Sequence, residues 1–170
     1  MSDRTIEVSA IGRRSDDPDE ALVRVSVVAS AADTVTARQQ LAKSVSGMRT
    51  ALTEAGIAAD RLRADEYRIY EEEPPYEPGR TDDRPDDDQR THTAVQTVTI
   101  TTDPASVGEV IDTAVTNGAD RVRDVRFTLS GETRDRLRTS ALEDAMTAAR
   151  EQAETIAAAA DLTTDGVRSA

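Results

Sequence analysis

The chain has 170 residues, a net charge of −12 and no cysteine. That length suits one domain burying roughly two-thirds of its unfolded surface, and the missing thiols exclude disulfides, thiolate metal sites and a cysteine nucleophile. A pI near 4.5 disfavours a DNA or RNA partner, because phosphate binding needs basic groups that release counterions.

The kind of charge says more than its size. Of the 33 acids 20 are Asp, and of the 21 basic residues only Lys43 is lysine. Asp and Arg hydrate densely and lack the long apolar stem of lysine, so the composition is that of a halophilic protein, soluble where salt has screened ordinary repulsion. The melting temperature is therefore expected to rise between about 0.1 and 3 M salt, as the acids cease to repel one another; a level melting temperature would contradict this. Only Tyr67, Tyr70, Tyr76 and Phe127 are aromatic, so the core must come from Val, Ile, Leu and Ala. The N-terminal residues lack the apolar run of a signal peptide, and no stretch approaches the roughly 18 apolar residues of a membrane span. The expected location is the cytoplasm.

Thr5 to Gly12 reads as a strand, with Ile6, Val8 and Ala10 on one face. A charged loop from Arg13 to Glu20 leads to a second strand, Ala21 to Ser30, whose Val23, Val25 and Val27 face inward. These two are expected to pair as a hairpin. Asp33 offers an N-cap for a helix with Val35, Leu41, Val45, Met48 and Leu52 at helical spacing, stopped by Gly56. Arg61 to Glu71 forms a third strand, with Tyr67 and Ile69 on one face, and Thr91 to Thr102 a fourth.

Between those strands, residues 71–90 hold nine acids, three Arg and four of the six Pro, a net charge of −6. Proline density and like charge predict a long acidic loop without helix or strand. Pro104 starts a second helix, with Val107, Val110, Ile111, Ala114 and Val115 toward the sheet and Asn117-Gly118 as its stop. In the fifth strand, Arg121 to Ser130, the apolar positions change phase between Val122 and Val125, which predicts a bulge near Arg123 and Asp124. Glu132 to about Ala160 is the longest helix, with Leu137, Ala141, Ala145, Ala149, Ala153, Ile156 and Ala160 on one face; alanine at each turn permits close helix approach, on the sheet or on another subunit, and is equally good helix filler. A last strand could begin at Val167. The order ββαββαβα gives an α+β fold with a mixed or antiparallel sheet, helices packed on one face and split-βαβ character, over residues 1–170 as a single domain.

Several features in this order resemble the SIMPL family, also called domain of unknown function 541: Pro18-Asp19, Gly56-Ile57, Ile111-Asp112, Gly118-Ala119, Phe127-Thr128-Leu129-Ser130 and the Ala141, Ala145, Ala149, Ala153 ladder. The resemblance spans nearly the whole chain. It implies a protein with no assigned catalytic motif, in a family where many bacterial members are exported and some form ring-like oligomers. This chain departs from it in lacking an export signal, in having Arg13 and Arg14 where relatives often continue Gly-x-Gly, and in stopping where relatives add a strand.

No constellation of residues points to catalysis, so no catalytic, cofactor-binding or metal-binding residue is assigned and no cofactor is expected. His92 is the only histidine, and transition-metal sites usually need several imidazoles or thiolates, so an exposed strand-edge histidine is the plainer reading. Glu71-Glu72-Glu73 and Asp86-Asp87-Asp88 could gather a hard cation but lack EF-hand spacing. No serine sits in a Gly-x-Ser-x-Gly setting, and no glycine run forms a phosphate loop. The expectation is a non-enzymatic protein acting through self-association or a protein partner, with the alanine face of the last helix and the edge strands as contact surfaces. The alternatives are an acidic, metal-dependent small-molecule enzyme in a cleft beneath the acidic loop, and an acidic loop that itself serves as a docking arm.

Overall fold

Valine at alternate positions 23, 25 and 27 commits the chain to an extended conformation with one buried face, and this strand is the centre of the sheet. The computed structural model describes residues 4–72 and 91–168. In chain order the elements are β1 (Glu20–Ala31), α1 (Thr34–Glu54), β2 (Leu62–Glu72), β3 (Thr91–Thr102), α2 (Val107–Thr116), β4 (Arg121–Thr128) and α3 (Gly131–Ala159). Single 3₁₀ turns, Ala59–Arg61 and Pro104–Ser106, lead into β2 and α2. The strands form one antiparallel sheet in the order β2-β3-β1-β4, which bears out the expected α+β class.

The chain divides into two compact units, Pro18–Thr128 and Met1–Asp17 with Leu129–Ala170. In the first, α1 and α2 lie on one face of the sheet. Leu41, Val45, Met48 and Leu52 of α1 and Val110 and Ala114 of α2 share one core cluster with Val23, Val25, Val27, Ala94, Val98 and Ile100. Asp33 caps α1 as expected, its carboxylate accepting from the Thr36 N–H at 2.9 Å and the Thr36 hydroxyl at 2.6 Å. Those hydrogen bonds, the hydroxyl's first, hold Asp33 below the usual carboxylate range. Both helices end on a glycine of positive φ, Gly56 at +97° and Gly118 at +123°, where the Ile57 N–H reaches the Leu52 carbonyl and the Ala119 N–H the Ala114 carbonyl.

In the second unit, Ser130 caps α3 by accepting from the Thr133 N–H at 3.2 Å. The N-terminal segment crosses α3 at Ala141. A Cβ placed on Gly12 would overlap the Ala141 carbonyl oxygen and lie 2.6 Å from its carbon, so at this rung the alanine ladder meets the chain's own N-terminal segment, a neighbour that the helix pattern alone did not name. Two ion pairs flank the crossing, Arg14 to Asp144 at 2.7 Å and Arg136 to Asp16 at 2.9 Å.

Several expectations need correction. Residues 4–19 carry neither helix nor strand, so the hairpin expected between Thr5–Gly12 and the valine strand does not form. The reason is topological: β3 and β4 occupy the two edges of β1, leaving that strand no edge for a hairpin partner along Glu20–Ser26. Val35, Val115 and Ile156 are about half exposed, and Ala37 and Ala157 take the buried places instead. No strand begins at Val167 among the described residues, where the chain only bends. The acidic loop lies outside the described residues apart from Glu71 and Glu72, which belong to β2.

Candidate functional site

The sheet face away from α1 and α2 is polar. Ser26, Thr93, Thr97 and Thr99 line its middle and are buried despite their hydroxyls, which is tolerable because they bond to one another and to charged neighbours. Ser30 and Thr93 hydroxyls lie 2.8 Å apart, and those of Ser26 and Thr97 3.5 Å apart.

Two bulges, one on each edge strand, shape this face. In β4 the register against β1 slips between Arg24 and Val25, so that Asp124 pairs with Arg24, Val122 with Val25, and Arg123 is the extra residue. This is the bulge that the phase change predicted. In β2 the slip falls between Ala64 and Glu66, leaving Asp65 extra. A bulge puts neighbouring side chains on one face, and here it delivers Asp65, Arg123 and Asp124 to the polar side.

The result is a charge network across all four strands. Asp65 accepts from the Thr99 hydroxyl and, at 2.8 Å, from Arg63 Nε. Arg24 lies between two carboxylates, its Nε 3.8 Å from Asp65 and its Nη1 3.5 Å from Asp124. That Nε is buried without a hydrogen-bond partner, since 3.8 Å is beyond hydrogen-bond reach. Arg123 Nε donates to the Ser26 hydroxyl at 2.9 Å.

The Thr99 hydroxyl, then Arg63 and Arg24, hold the Asp65 carboxyl below the usual carboxylate range against the opposing effect of burial. Such a carboxylate is a poor proton acceptor near neutral pH, so this network is built to stay charged rather than to exchange protons. Because the folded value is lowered, Asp65 contributes stability above the unfolded value of about 3.9, and that contribution disappears as pH falls through the folded value. Asp65→Asn is expected to cost about 1 kcal/mol at neutral pH and almost nothing in acid, where the native carboxyl is itself neutral. Urea denaturation of both chains at the two pH values tests this; an equal difference at each would contradict it.

His92, the one histidine, sits on β3 between Ala31 and Glu71 of the neighbouring strands. Its Nδ1 is 3.3 Å from the Thr34 hydroxyl. Among the described residues no group of three His, Asp or Glu side chains is placed to hold a metal; the Asp86-Asp87-Asp88 run lies outside them, as do Glu73 and the cleft imagined beneath the loop. An open groove of about 590 Å³ runs along α1, lined by Ser46, Arg49, Thr50, Thr53, Glu54 and Gln96 among others, with a single carboxylate. Arg49 is committed there to the Leu62 carbonyl at 2.9 Å.

Among the described residues, the two outer strands of the sheet also carry exposed apolar side chains. On β2, Tyr67, Ile69 and Tyr70 are 37–49% exposed, and on β4 Val122 and Phe127 are 39% and 54% exposed. The registers put Tyr67 and Ile69 opposite Gln96 and Ala94, and Phe127 opposite Ala21, on the helix-bearing face. Sequence reading named the edge strands as contact surfaces but missed the charge network, whose members come from four strands. Among the described residues no helix is long and apolar enough to cross a membrane.

No curated protein matches the chain. The SIMPL family profile, described as a protein of unknown function (DUF541), matches residues 6–170. With the ordered elements above falling inside that match, the chain belongs to the SIMPL family.

Proposed function

We propose that this SIMPL protein acts by association, offering the open edges of its sheet to a protein partner rather than converting a substrate. The observation that carries the reading is the clustering of Tyr67, Ile69 and Tyr70 along β2 and of Val122 and Phe127 along β4. Single exposed apolar side chains are ordinary, but here they collect on the two outer strands of the sheet that the described residues form. Natural sheets usually blunt such edges, as the bulges and charged side chains of β2 and β4 do in part, and strand addition uses what is left open. The Asp- and Arg-rich composition supports a salt-adapted, cytoplasmic setting, and the net negative charge supports protein over nucleic acid as partner.

A double variant, Ile69→Lys with Phe127→Lys, places a charge on each edge. In molar KCl the native chain is expected to scatter light as a multiple of its 18.3 kDa mass, and the double variant as a single chain. A double variant with undiminished mass would overturn the reading.

A further inference from the structure

The segment Thr5–Ile11 has the sequence of a strand and no ladder. Its Ile6, Val8 and Ala10 are half-buried while Thr5, Glu7, Ser9 and Ile11 are exposed, an alternation of period two. The valine strand β1 cannot receive it along Glu20–Ser26, and beyond that stretch the Val28 N–H already donates to the Asp120 carboxylate at 2.6 Å. The segment is rooted, however: Gly12 lies against Ala141, and Arg14 and Asp16 are paired to α3. Residues 5–11 are a strand-forming arm on a fixed base.

We infer that Thr5–Ile11 of one copy adds as a fifth strand to the outer edge of β4 in a second copy. This rests on the edge reading above and names its partner. Charge selects the edge. β4 carries Arg121, Arg123 and Arg126 against Asp124, a net of +2, whereas β2 carries Asp65, Glu66, Glu71 and Glu72 against Arg63 and Arg68, a net of −2. Glu7, the one charge within the segment, is attracted to the first and repelled by the second, and opposite charges facing across strands favour pairing. Length agrees, since β4 has eight residues and the segment seven. The apolar face agrees too: Ile6, Val8 and Ala10 recur at the spacing of Phe127, Val125 and Val122, the helix-side positions of β4, of which one copy leaves Phe127 and Val122 exposed. Exchange in both directions gives a closed pair, the familiar low-cost route to a dimer.

The test compares sedimentation of the native chain, Val8→Pro, Phe127→Lys and Ile69→Lys in molar KCl, with circular dichroism to confirm that each is folded. Proline removes a ladder N–H, so Val8→Pro is expected to weaken the dimer about tenfold or more. Phe127→Lys should do the same, and Ile69→Lys should leave the dimer unchanged. Since the chain has no cysteine, Val8→Cys and Phe127→Cys prepared separately and mixed should join as an unlike pair under a bismaleimide. A native chain of single mass, a Val8→Pro dimer as strong as the native one, or no unlike pair would overturn the inference. If the double edge variant dissociates while Val8→Pro does not, the edges bind something other than this segment; if the double edge variant also stays associated, the edge reading itself falls.

Discussion

Replacing Leu41 with alanine is expected to lower the stability of the Pro18–Thr128 unit by about 3–5 kcal/mol, the upper part of the range for large-to-small core changes. Leu41 is fully buried and shares one core cluster with the valines of β1 and with Val98 and Ile100 of β3. The surrounding cluster contains no aromatic ring and is mostly valine and alanine, stiff or short side chains that reach little way into the space, so most of the cavity persists. A loss of that size is a substantial share of a domain's typical 5–15 kcal/mol or so. Val35→Ala supplies the comparison, since Val35 belongs to the same apolar stripe in sequence but is 55% exposed; its change should stay within about 0.5 kcal/mol. Chemical denaturation at fixed high salt measures both. Equal effects at the two positions would mean that the buried face of α1 is not the one described.

Gly12→Ala carries the second large effect. The added methyl would overlap backbone, the Ala141 carbonyl, and backbone within a helix cannot turn aside as a flexible side chain can. Overpacking of this kind costs about 1–3 kcal/mol. It falls on the unit that holds α3, so the expected signature is local: amides near Ala141 and in residues 12–16 exchange faster, while those of β1 and β3 keep their protection. Unchanged exchange around Ala141 would show that the close crossing is absent in solution.

How far the sequence reveals these features depends on how local each one is. The bulge at Arg123 was readable because Val122, Val125 and Phe127 are strong markers of phase. The bulge at Asp65 leaves the same trace, Leu62 and Ala64 on one phase and Tyr67 and Ile69 on the other, but alanine marks a face too weakly to be noticed. Caps and stops were legible at Asp33, Gly56 and Gly118, where one residue's own chemistry dictates the backbone. The Asp65–Arg24–Asp124 network was not, because it depends on the strand order, which places residues 24, 65, 99 and 124 side by side. Thr5–Gly12 shows the same divide: alternation marks a segment fit for a strand, yet which edge is vacant is decided by elements far along the chain, β3 and β4.

Amide hydrogen exchange measured across a series of protein concentrations in molar KCl tests association at the open edges most directly. The outward amides of an edge strand, β4 above all, should gain protection as concentration rises, while those of β1 and β3, already paired on both sides, stay constant. Protection that is independent of concentration in all four strands would contradict the account.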